Sequence, residues 1–377
     1  MNMKFLKVPR KLAEQTRQQL MEKGIISPDY DIFREGEFVF IPVTKGFRGY
    51  ELVERKADKK EPGFRSLAGA LSSSLDKNEL EQLTTSFDIL GDIAIVEIPR
   101  KLEPKETEIG NALLRVHKNV RAVFKKLGPM EGEYRVRRLA RIAGKGGTET
   151  LHREHGCRIR LDAAKVYFSV RLSHERKRIA GLVQPGENVL VMFAGVGPFA
   201  LLIAREKPGA SIVAVESNPA AARYLRENIA LNKSGNIIAE EGDVRDIIPQ
   251  KYRGFADRVV MPLPKTAHEF LDMAFAASKR DAVIHFYTIA GSEHPFEDAM
   301  ARAEKAASRH GVRLQTLGSR IVRPYSPELV QVVLDLRKTI GKIGPGQGRA
   351  GSKQTTGQAR KPSPAQSGAA REAPFPS

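Results

Sequence analysis

Residues 189–199 read Val-Leu-Val-Met-Phe-Ala-Gly-Val-Gly-Pro-Phe, and residues 214–219 read Ala-Val-Glu-Ser-Asn-Pro. The first run is apolar over the length of a strand and leads into a turn with two glycines. The second run ends in an acid, Glu216, about 20 residues beyond that turn, which is typical of a nucleotide-binding β-α-β unit. The alternative is a tight βα turn beside a solvated strand end, and the spacing of Glu216 favours the binding site.

The glycine pattern indicates which cofactor such a unit would bind. A dinucleotide site has a third glycine that lets the helix N-terminus approach a pyrophosphate, whereas Pro198 and Phe199 fill that space here. S-adenosylmethionine carries no phosphate and needs an acid on its ribose hydroxyls, which Glu216 can supply with two acceptor oxygens. The sequence therefore predicts S-adenosylmethionine, bound at Phe193, Gly195, Gly197, Glu216 and Ser217.

Alternating apolar runs around this unit predict a Rossmann-like α/β fold. We expect strands at 188–193, 212–216, 236–240, 257–261 and 281–287, and helices at 219–231, 266–277 and 296–309. Two strand-like runs near 312–322 and 329–336 follow. The pattern predicts a doubly wound sheet with an antiparallel end hairpin, preceded by two smaller α+β domains.

The net charge of +18 over 377 residues predicts a polyanionic partner. A basic tail on an ordinary protein is the alternative, but residues 342–377 hold six Lys or Arg against one Glu and so contribute only +5. Residues 134–168 are rich in Arg and Lys, and in the run 158–161 these alternate with apolar residues. One strand face would therefore carry charge while the other faces the core.

Composition also limits the compartment and the kind of site. The single cysteine, Cys157, excludes an internal disulfide and a cysteine-based zinc site and indicates a reducing compartment. Neither a signal peptide nor an apolar run of about 18 residues is present. We expect a cytoplasmic monomer with no membrane contact and no metal site.

The chain is predicted to divide into four segments. Residues 1–62 would form a small domain, with a helix followed by a strand at 37–43, and a linker at 56–63. Residues 63–160 would form a basic α+β RNA-binding domain, with a strand-like run at 87–99 and a helix at 106–117. Residues 161–340 would form the methyltransferase domain, and the Gly/Pro/Ser-rich residues 341–377 a disordered basic tail.

Further site candidates lie at strand ends, because ligands of open α/β sheets bind outside the carboxyl ends of the strands. Asp243 and Val244 follow the third strand, where the carboxylate could accept from an adenine amino group or simply cap a helix. Pro262 and Pro264 follow the fourth and would stiffen a loop against a flat base, or only make a turn. Upstream, Glu175 lies among cations and could be a base, or pair with Arg171 or Arg178.

Several motifs in order make the chain resemble the archaeal and eukaryotic tRNA (guanine-37-N1)-methyltransferases. The motifs are Tyr-Arg-Val-Arg at 134–137, Thr-Leu-His-Arg-Glu-His-Gly at 150–156, Asp-Ala-Ala-Lys-Val-Tyr-Phe-Ser at 162–169, Glu-Arg at 175–176, Phe-Ala-Gly-Val-Gly-Pro-Phe at 193–199 and His-Phe-Tyr at 285–287. The resemblance implies methyl transfer from S-adenosylmethionine to N1 of guanosine 37 in the tRNA anticodon loop. Residues 1–50 resemble that family's small RNA-reading domain.

The resemblance also implies roles for single residues. Glu175 would be the general base for N1–H, and Arg135 would stabilise charge on guanine O6. Cofactor contacts are implied at Tyr167, Arg171, Arg176, Phe193, Glu216 and Asp243.

One departure from the family pattern keeps a second activity open. Where the family has Asn-Leu-Pro-Lys, this chain has Pro-Leu-Pro-Lys at 262–265. A proline there also occurs in an archaeal subgroup that methylates C7 of the tricyclic wyosine precursor 4-demethylwyosine at the same nucleotide, which is the alternative function. A non-catalytic tRNA-binding protein and a methyltransferase acting on a small molecule or a protein are alternatives of other classes.

Overall fold

The computed structural model describes residues 2–58, 66–130, 132 and 134–340. The N-terminal elements are β1 (Asn2–Pro9), α1 (Ala13–Glu22), β2 (Phe33–Glu35), β3 (Phe38–Pro42) and β4 (Glu51–Lys56). The next are α2 (Leu67–Leu71), α3 (Lys77–Gln82), β5 (Phe87–Leu90), β6 (Ile93–Val96), α4 (Glu106–Val116), β7 (Ala122–Lys126), β8 (Leu139–Gly144), β9 (Glu149–Glu154) and β10 (Cys157–Asp162).

The C-terminal elements alternate helices and strands before a final hairpin. They are α5 (Ser173–Leu182), β11 (Asn188–Met192), α6 (Pro198–Glu206), β12 (Ser211–Glu216), α7 (Pro219–Asn232), β13 (Ile237–Glu241), α8 (Val244–Lys251), β14 (Ala256–Met261), α9 (Leu271–Ala277), β15 (Ser278–Gly291), α10 (Pro295–Arg309), β16 (Val312–Ser326) and β17 (Leu329–Ile340).

The C-terminal part is built on a seven-stranded sheet in the order β13-β12-β11-β14-β15-β17-β16. Strands β11 to β14 are parallel to their neighbours, β15 is parallel to β14, and β17 is antiparallel to both β15 and β16. The predicted Rossmann-like doubly wound sheet with an antiparallel end hairpin is therefore confirmed. The strand order reverses beside β11, so a ligand crevice is expected outside its carboxyl end.

Both faces of this sheet are covered, which explains why its strands are continuous apolar runs. Along β11, Val189 and Val191 face a core shared with α6 and α7, while Leu190 and Met192 face a second core shared with α8, α9 and α10. All four side chains are fully buried. The sheet end that carries the ligand loops is therefore rigidly held.

Two smaller antiparallel or mixed sheets precede the large one, and a hairpin joins them to it. The first has the order β2-β3-β1-β4 and the second β5-β6-β7-β8, in which α4 packs against β8 and against the parallel pair β6 and β7. Strands β9 and β10 form the hairpin, and as predicted Ile159 and Leu161 are buried while Arg160 is exposed. Asn228 of α7 bonds the backbone N–H and C=O of Arg160, which fixes the hairpin on the large domain.

Two parts of the N-terminal prediction were wrong. The prediction for residues 1–50 lacks β1, because Phe5 and Leu6 are both buried and the strand does not alternate between apolar and polar residues. The run 87–99 is two strands, β5 and β6, which a turn at Gly91 joins. In β1 consecutive buried residues hide the period of two, whereas the second error is a turn overlooked within one apolar run.

The domain boundaries stay a prediction. Of the predicted linker 56–63, Lys56 ends β4, and residues 59–63 lie outside the described residues, as does the division at 62/63. The division at 160/161 falls within β10. The predicted tail, 341–377, also lies outside the described residues. In the described part, no helix is long and apolar enough to cross a membrane.

Candidate active site

The turn after β11 forms one side of the candidate site. Phe193, Gly195 and Gly197 have φ of +55°, +58° and +90°, and Pro198 then starts α6 with the fixed φ that suits a first helical position. The N–H of Ala194 donates to the carbonyl of Val215 at 2.9 Å, which ties the turn to β12. A positive φ at a phenylalanine is strained, and such strain is concentrated at functional sites.

Glu216 ends β12 and is anchored by backbone groups. Its Oε2 accepts from the N–H of Gly195 at 2.7 Å, and its Oε1 accepts from the N–H of Asn218 at 2.8 Å. Burial raises the pKa of Glu216, and the two N–H donors oppose that shift. A carboxylate oxygen can accept two hydrogen bonds, so each oxygen of Glu216 can still accept one from a ligand hydroxyl.

Asp243 both caps a helix and lines the site. Its side chain accepts from the N–H of Arg245 at the start of α8, and the Arg245 guanidinium pairs with both carboxylate oxygens. These hydrogen bonds lower the pKa of Asp243. The helix-cap interpretation is therefore correct for the backbone, and the carboxylate stays ionised at the cavity.

The loop after β14 closes the site from the other side. The N–H of Leu263 donates to the carbonyl of Met261, and that of Ile289 donates to the carbonyl of Pro264, so the loop is bonded at both ends. The ring of Phe270 meets that of Phe193 edge to face at 4.9 Å. These contacts give the site an apolar, aromatic wall.

These elements enclose a cavity of about 440 Å³, which is called the main cavity below. Nine predicted site residues line it: Arg135, Tyr167, Phe193, Gly195, Glu216, Ser217, Asp243, Val244 and Pro262. The sequence analysis did not assign a site role to other lining residues, which include Met130, Asn218, Arg245, Lys265, Thr266, Glu269 and Phe270. Phe270 lies beyond the strand ends in sequence, and the only signal for it is an aromatic residue following the proline loop.

Arg135 reaches the main cavity from the segment before β8. It has φ of +52°, and its guanidinium lies over the Tyr167 ring, 4.8 Å from the ring centroid. Its Nη1 is buried and has no hydrogen-bond partner among the described residues. A buried guanidinium N–H without a partner costs about 1–3 kcal/mol, so this donor is suited to an acceptor oxygen of a ligand.

Glu175, in the first turn of α5, is buried but does not line the main cavity. Its Oε1 accepts from the Tyr287 hydroxyl at 2.8 Å and from Arg178 Nε at 2.7 Å. In the described part of the chain, its Oε2 has only an ionic contact, to Arg320 Nη1 at 3.7 Å. The predicted pairing with Arg178 is confirmed, and that with Arg171 is wrong.

A buried chain of charges holds Arg178 in place. Arg178 also pairs with Asp335 of β17, which accepts from Nδ1 of the fully buried His285 at 2.6 Å. The Nε2 of His285 lies 2.8 Å from a guanidinium nitrogen of Arg258, which can only donate. His285 is therefore neutral with its proton on Nδ1, and complete burial lowers its pKa accordingly.

Four predicted cofactor residues, Arg171, Arg176, Gly197 and Pro264, are not among the residues that line the main cavity, and their cofactor contacts stay a prediction. Arg171 is half exposed and pairs with Asp88 of β5 at 2.8 Å. Arg176 is buried in a bidentate pair with Glu154.

The other two residues shape loops. A Cβ on Gly197 would lie 2.5 Å from Leu225 Cδ1, so this glycine permits close packing of the turn. The carbonyl of Pro264 is bonded to the N–H of Ile289.

Comparisons with known proteins assign the chain to a family. Three family models match in order: "tRNA methyltransferase 5 N-terminal domain" at residues 6–51, "TYW2 N-terminal domain" at 67–148 and "TRM5/TYW2 methyltransferase domain" at 150–315. The tRNA (guanine(37)-N(1))-methyltransferase Trm5b of Pyrococcus abyssi is 43% identical over 336 residues, which are 88% of this chain and 98% of that protein. The chain belongs to the TRM5/TYW2 methyltransferase family.

Other members differ in substrate. The tRNA 4-demethylwyosine(37)-methyltransferase Taw21 of Saccharolobus solfataricus is 32% identical over 255 residues, which are 67% of this chain and 93% of Taw21. Among solved structures, a complex of aTrm5 with tRNALeu matches with a TM-score of 0.66 and 34% identity, covering 88% of this chain and 99% of that one. Methanocaldococcus jannaschii TYW2 with AdoMet matches with a TM-score of 0.54 and 29% identity, covering 68% and 100%.

Proposed function

We propose that this protein transfers a methyl group from S-adenosylmethionine to N1 of guanosine 37 in the anticodon loop of tRNA, acting as a monomer. The observation that carries the proposal is the main cavity, whose lining includes both the anchored carboxylate of Glu216 and Arg135, whose buried Nη1 has no hydrogen-bond partner among the described residues. Membership of the TRM5/TYW2 family and the substrates in the names of its members support the same chemistry.

The lining residues fit the cofactor. Glu216 offers two acceptor oxygens for ribose hydroxyls, and Asp243 offers an ionised acceptor for an adenine amino group. Phe193 and Phe270 supply the apolar wall that a flat base needs. When bound, the donor supplies an electrophilic methyl group on a sulfonium sulfur, which leaves with the electron pair of the broken carbon–sulfur bond.

Arg135 is suited to the guanine O6. Its free Nη1 can donate to that oxygen, on which negative charge builds as N1 loses its proton. The Tyr167 ring beneath the guanidinium restricts its movement, so the donor is oriented before the substrate arrives. Preorganised donors of this kind typically contribute 10²–10³ in rate.

Glu175 is suited to the proton of N1. Its Oε1 is held by Tyr287 and Arg178, and Oε2 is the oxygen left to accept a proton. The proton passes from N1 to Oε2, the N1 lone pair forms the new nitrogen–carbon bond, and the charge on O6 is relieved. Because Glu175 is not among the residues that line the main cavity, the guanine must extend past the lining residues to meet it.

The test is methylation of an unmodified tRNA transcript followed by mass spectrometry of nucleotide 37. Wild-type protein should give 1-methylguanosine, and Glu175→Gln should reduce the rate about 10²–10⁴-fold, the range for a lost general base. Glu227→Gln, on an exposed face of α7, is the matched control and should retain activity. Full activity in Glu175→Gln would overturn the base assignment, and an unmodified nucleotide 37 would overturn the function.

Methylation of C7 of 4-demethylwyosine at the same position is the second candidate. The observation that favours it is Pro262, which lines the main cavity where the family has an asparagine and so removes an amide from the base-binding loop. Incubation with tRNA carrying the precursor decides between them. Methylation of that tRNA alone would favour the second candidate, and methylation of both would indicate a dual activity.

A further inference from the structure

A second, smaller cavity adjoins the main cavity and has a cationic lining. It encloses about 150 Å³ and shares Met130 and Tyr167 with the main cavity. Its lining combines apolar residues with the cations Lys126, Arg137, Arg171 and Arg323 and a single acid, Asp88. We call it the cationic cavity.

Most of this positive charge is not neutralised within the cavity. Asp88 pairs with Arg171, and Lys126 contacts the well-exposed Glu97 at 3.3 Å. Arg323 donates its Nε to a neutral amide, that of Gln331, at 2.9 Å. Within the described residues, Arg137 and Arg323 therefore have no carboxylate partner and remain available to an anion.

Arg137 adds a donor that needs an acceptor. Its Nε is buried and has no hydrogen-bond partner in the described ranges. A buried charged donor without a partner is unfavourable, and an anionic oxygen would satisfy it. The planar guanidinium groups of Arg137 and Arg323 suit an anion with two or more oxygens, since Arg presents several N–H donors in a fixed plane.

We propose that the cationic cavity binds the backbone phosphate next to the nucleotide that enters the main cavity. The proposal rests on the proposed function, in which a flipped nucleotide enters the main cavity. Tyr167 lines both cavities, so a base in the main cavity brings its own phosphate to the cationic cavity. The phosphate fixes the position of the nucleotide and carries no sequence information. Its binding turns part of the affinity for tRNA into correct placement of the base.

The first test is tRNA binding without a methyl donor, by filter binding over a range of salt concentrations. Arg137→Gln and Arg323→Gln should each weaken binding about 3–10-fold. Each should also reduce the slope of log K against log salt by about 0.7, the value for one phosphate contact on single-stranded RNA. Arg309→Gln, an exposed cation of α10 that pairs with Asp272, is the matched control and should change neither quantity.

The second test locates the phosphate. Transcripts with an uncharged methylphosphonate linkage on the 5′ or 3′ side of nucleotide 37 are bound to wild-type protein and to Arg137→Gln and Arg137→Lys. At one linkage, the methylphosphonate should weaken tRNA binding to wild type about 3–10-fold. It should hardly affect binding to Arg137→Gln, and its effect on Arg137→Lys should lie between the two. If, at both linkages, the methylphosphonate weakens binding by the same factor in Arg137→Gln as in wild type, the two effects are independent and the proposal is overturned.

Two further outcomes distinguish a failure of the phosphate proposal from a failure of the proposed function. Inorganic phosphate that competes at millimolar concentration, with no coupling to either linkage, would overturn the proposal in favour of a free-anion site. Failure of wild-type protein to methylate nucleotide 37 would refute the proposed function. Because the coupling is read from binding, it would still decide whether the cavity holds an RNA phosphate.

Discussion

Replacing Asp335 by asparagine should cost much stability for a small change in shape. Asp335 accepts from His285 Nδ1 at 2.6 Å and from two nitrogens of Arg178 at 2.5 and 3.1 Å. Asparagine keeps one acceptor oxygen and turns an NH₂ donor toward these donors. Although burial would raise the pKa of Asp335, the hydrogen bonds from His285 and Arg178 lower it overall, so the carboxylate is charged at neutral pH.

The size of the effect follows from burial. Breaking a buried ion pair by removing one partner costs about 3–5 kcal/mol. The side chains of Asp335 and Arg178 are 15% and 19% exposed, so we expect the lower end, about 3 kcal/mol. Urea unfolding at pH 7 should show a lower midpoint with an unchanged m-value.

A matched control distinguishes burial from charge. Asp272 pairs with Arg309 at 3.0 Å on the surface, with side chains 35% and 55% exposed. Asp272→Asn should lower stability by less than about 1 kcal/mol. If Asp335→Asn lowered the free energy of unfolding no more than Asp272→Asn does, the buried charge network would contribute no more to stability than a surface ion pair.

Three other predictions test the site and its support. In Glu216→Gln an amide NH₂ faces the N–H of Gly195 or Asn218, so the side chain is no longer anchored. Calorimetry should show about 10–100-fold weaker binding of S-adenosylmethionine. An unchanged Kd would contradict the anchoring role. Burial would raise the pKa of Glu154, but hydrogen bonds from Arg176 lower it from 4.5 to about 2. Its contribution to stability is therefore complete above pH 4.5 and is lost as the pH falls toward 2. The difference in urea midpoint between wild type and Glu154→Gln should shrink below pH 4.5, and a constant difference would count against this pairing. Gly197→Ala places a Cβ on a residue with φ of +90° and 2.5 Å from Leu225 Cδ1, so thermal unfolding should show a free energy of unfolding lower by about 2 kcal/mol or more. Gly235→Ala is the control, because its Cβ would lie in open space, and it should change stability little.

The strand-end residues could be predicted from the sequence because the physics that places them is local. An apolar run, a glycine turn and an acid at fixed spacing put Phe193, Gly195 and Glu216 at one sheet edge. Asp243 was found in the same way, as the residue that follows a strand and precedes a helix. Parallel strands bring such positions together whatever the rest of the chain does.

The pairing of Arg178 with Glu175, three residues apart, could be predicted, but other partners of the arginines could not, because they come from distant segments. Arg171 pairs with Asp88, 83 residues away, and Arg178 pairs with Asp335, 157 residues away. Arg176 shows the same limit, since its bidentate pair with Glu154 is set by the fold and not by the local sequence. A single sequence records which charges exist but not which of them meet.

The position of β17 has a consequence for synthesis of the protein. Strand β17 lies between β15 and β16 and carries Asp335, so the partner that fixes Arg178, which in turn bonds Glu175, is synthesised after all the parallel strands. A nascent chain that ends at residue 320 lacks this strand. Arg178, one of the two groups that hold the proposed proton acceptor Glu175, would then lack Asp335, and we expect full activity to arise only after residue 335 has left the ribosome.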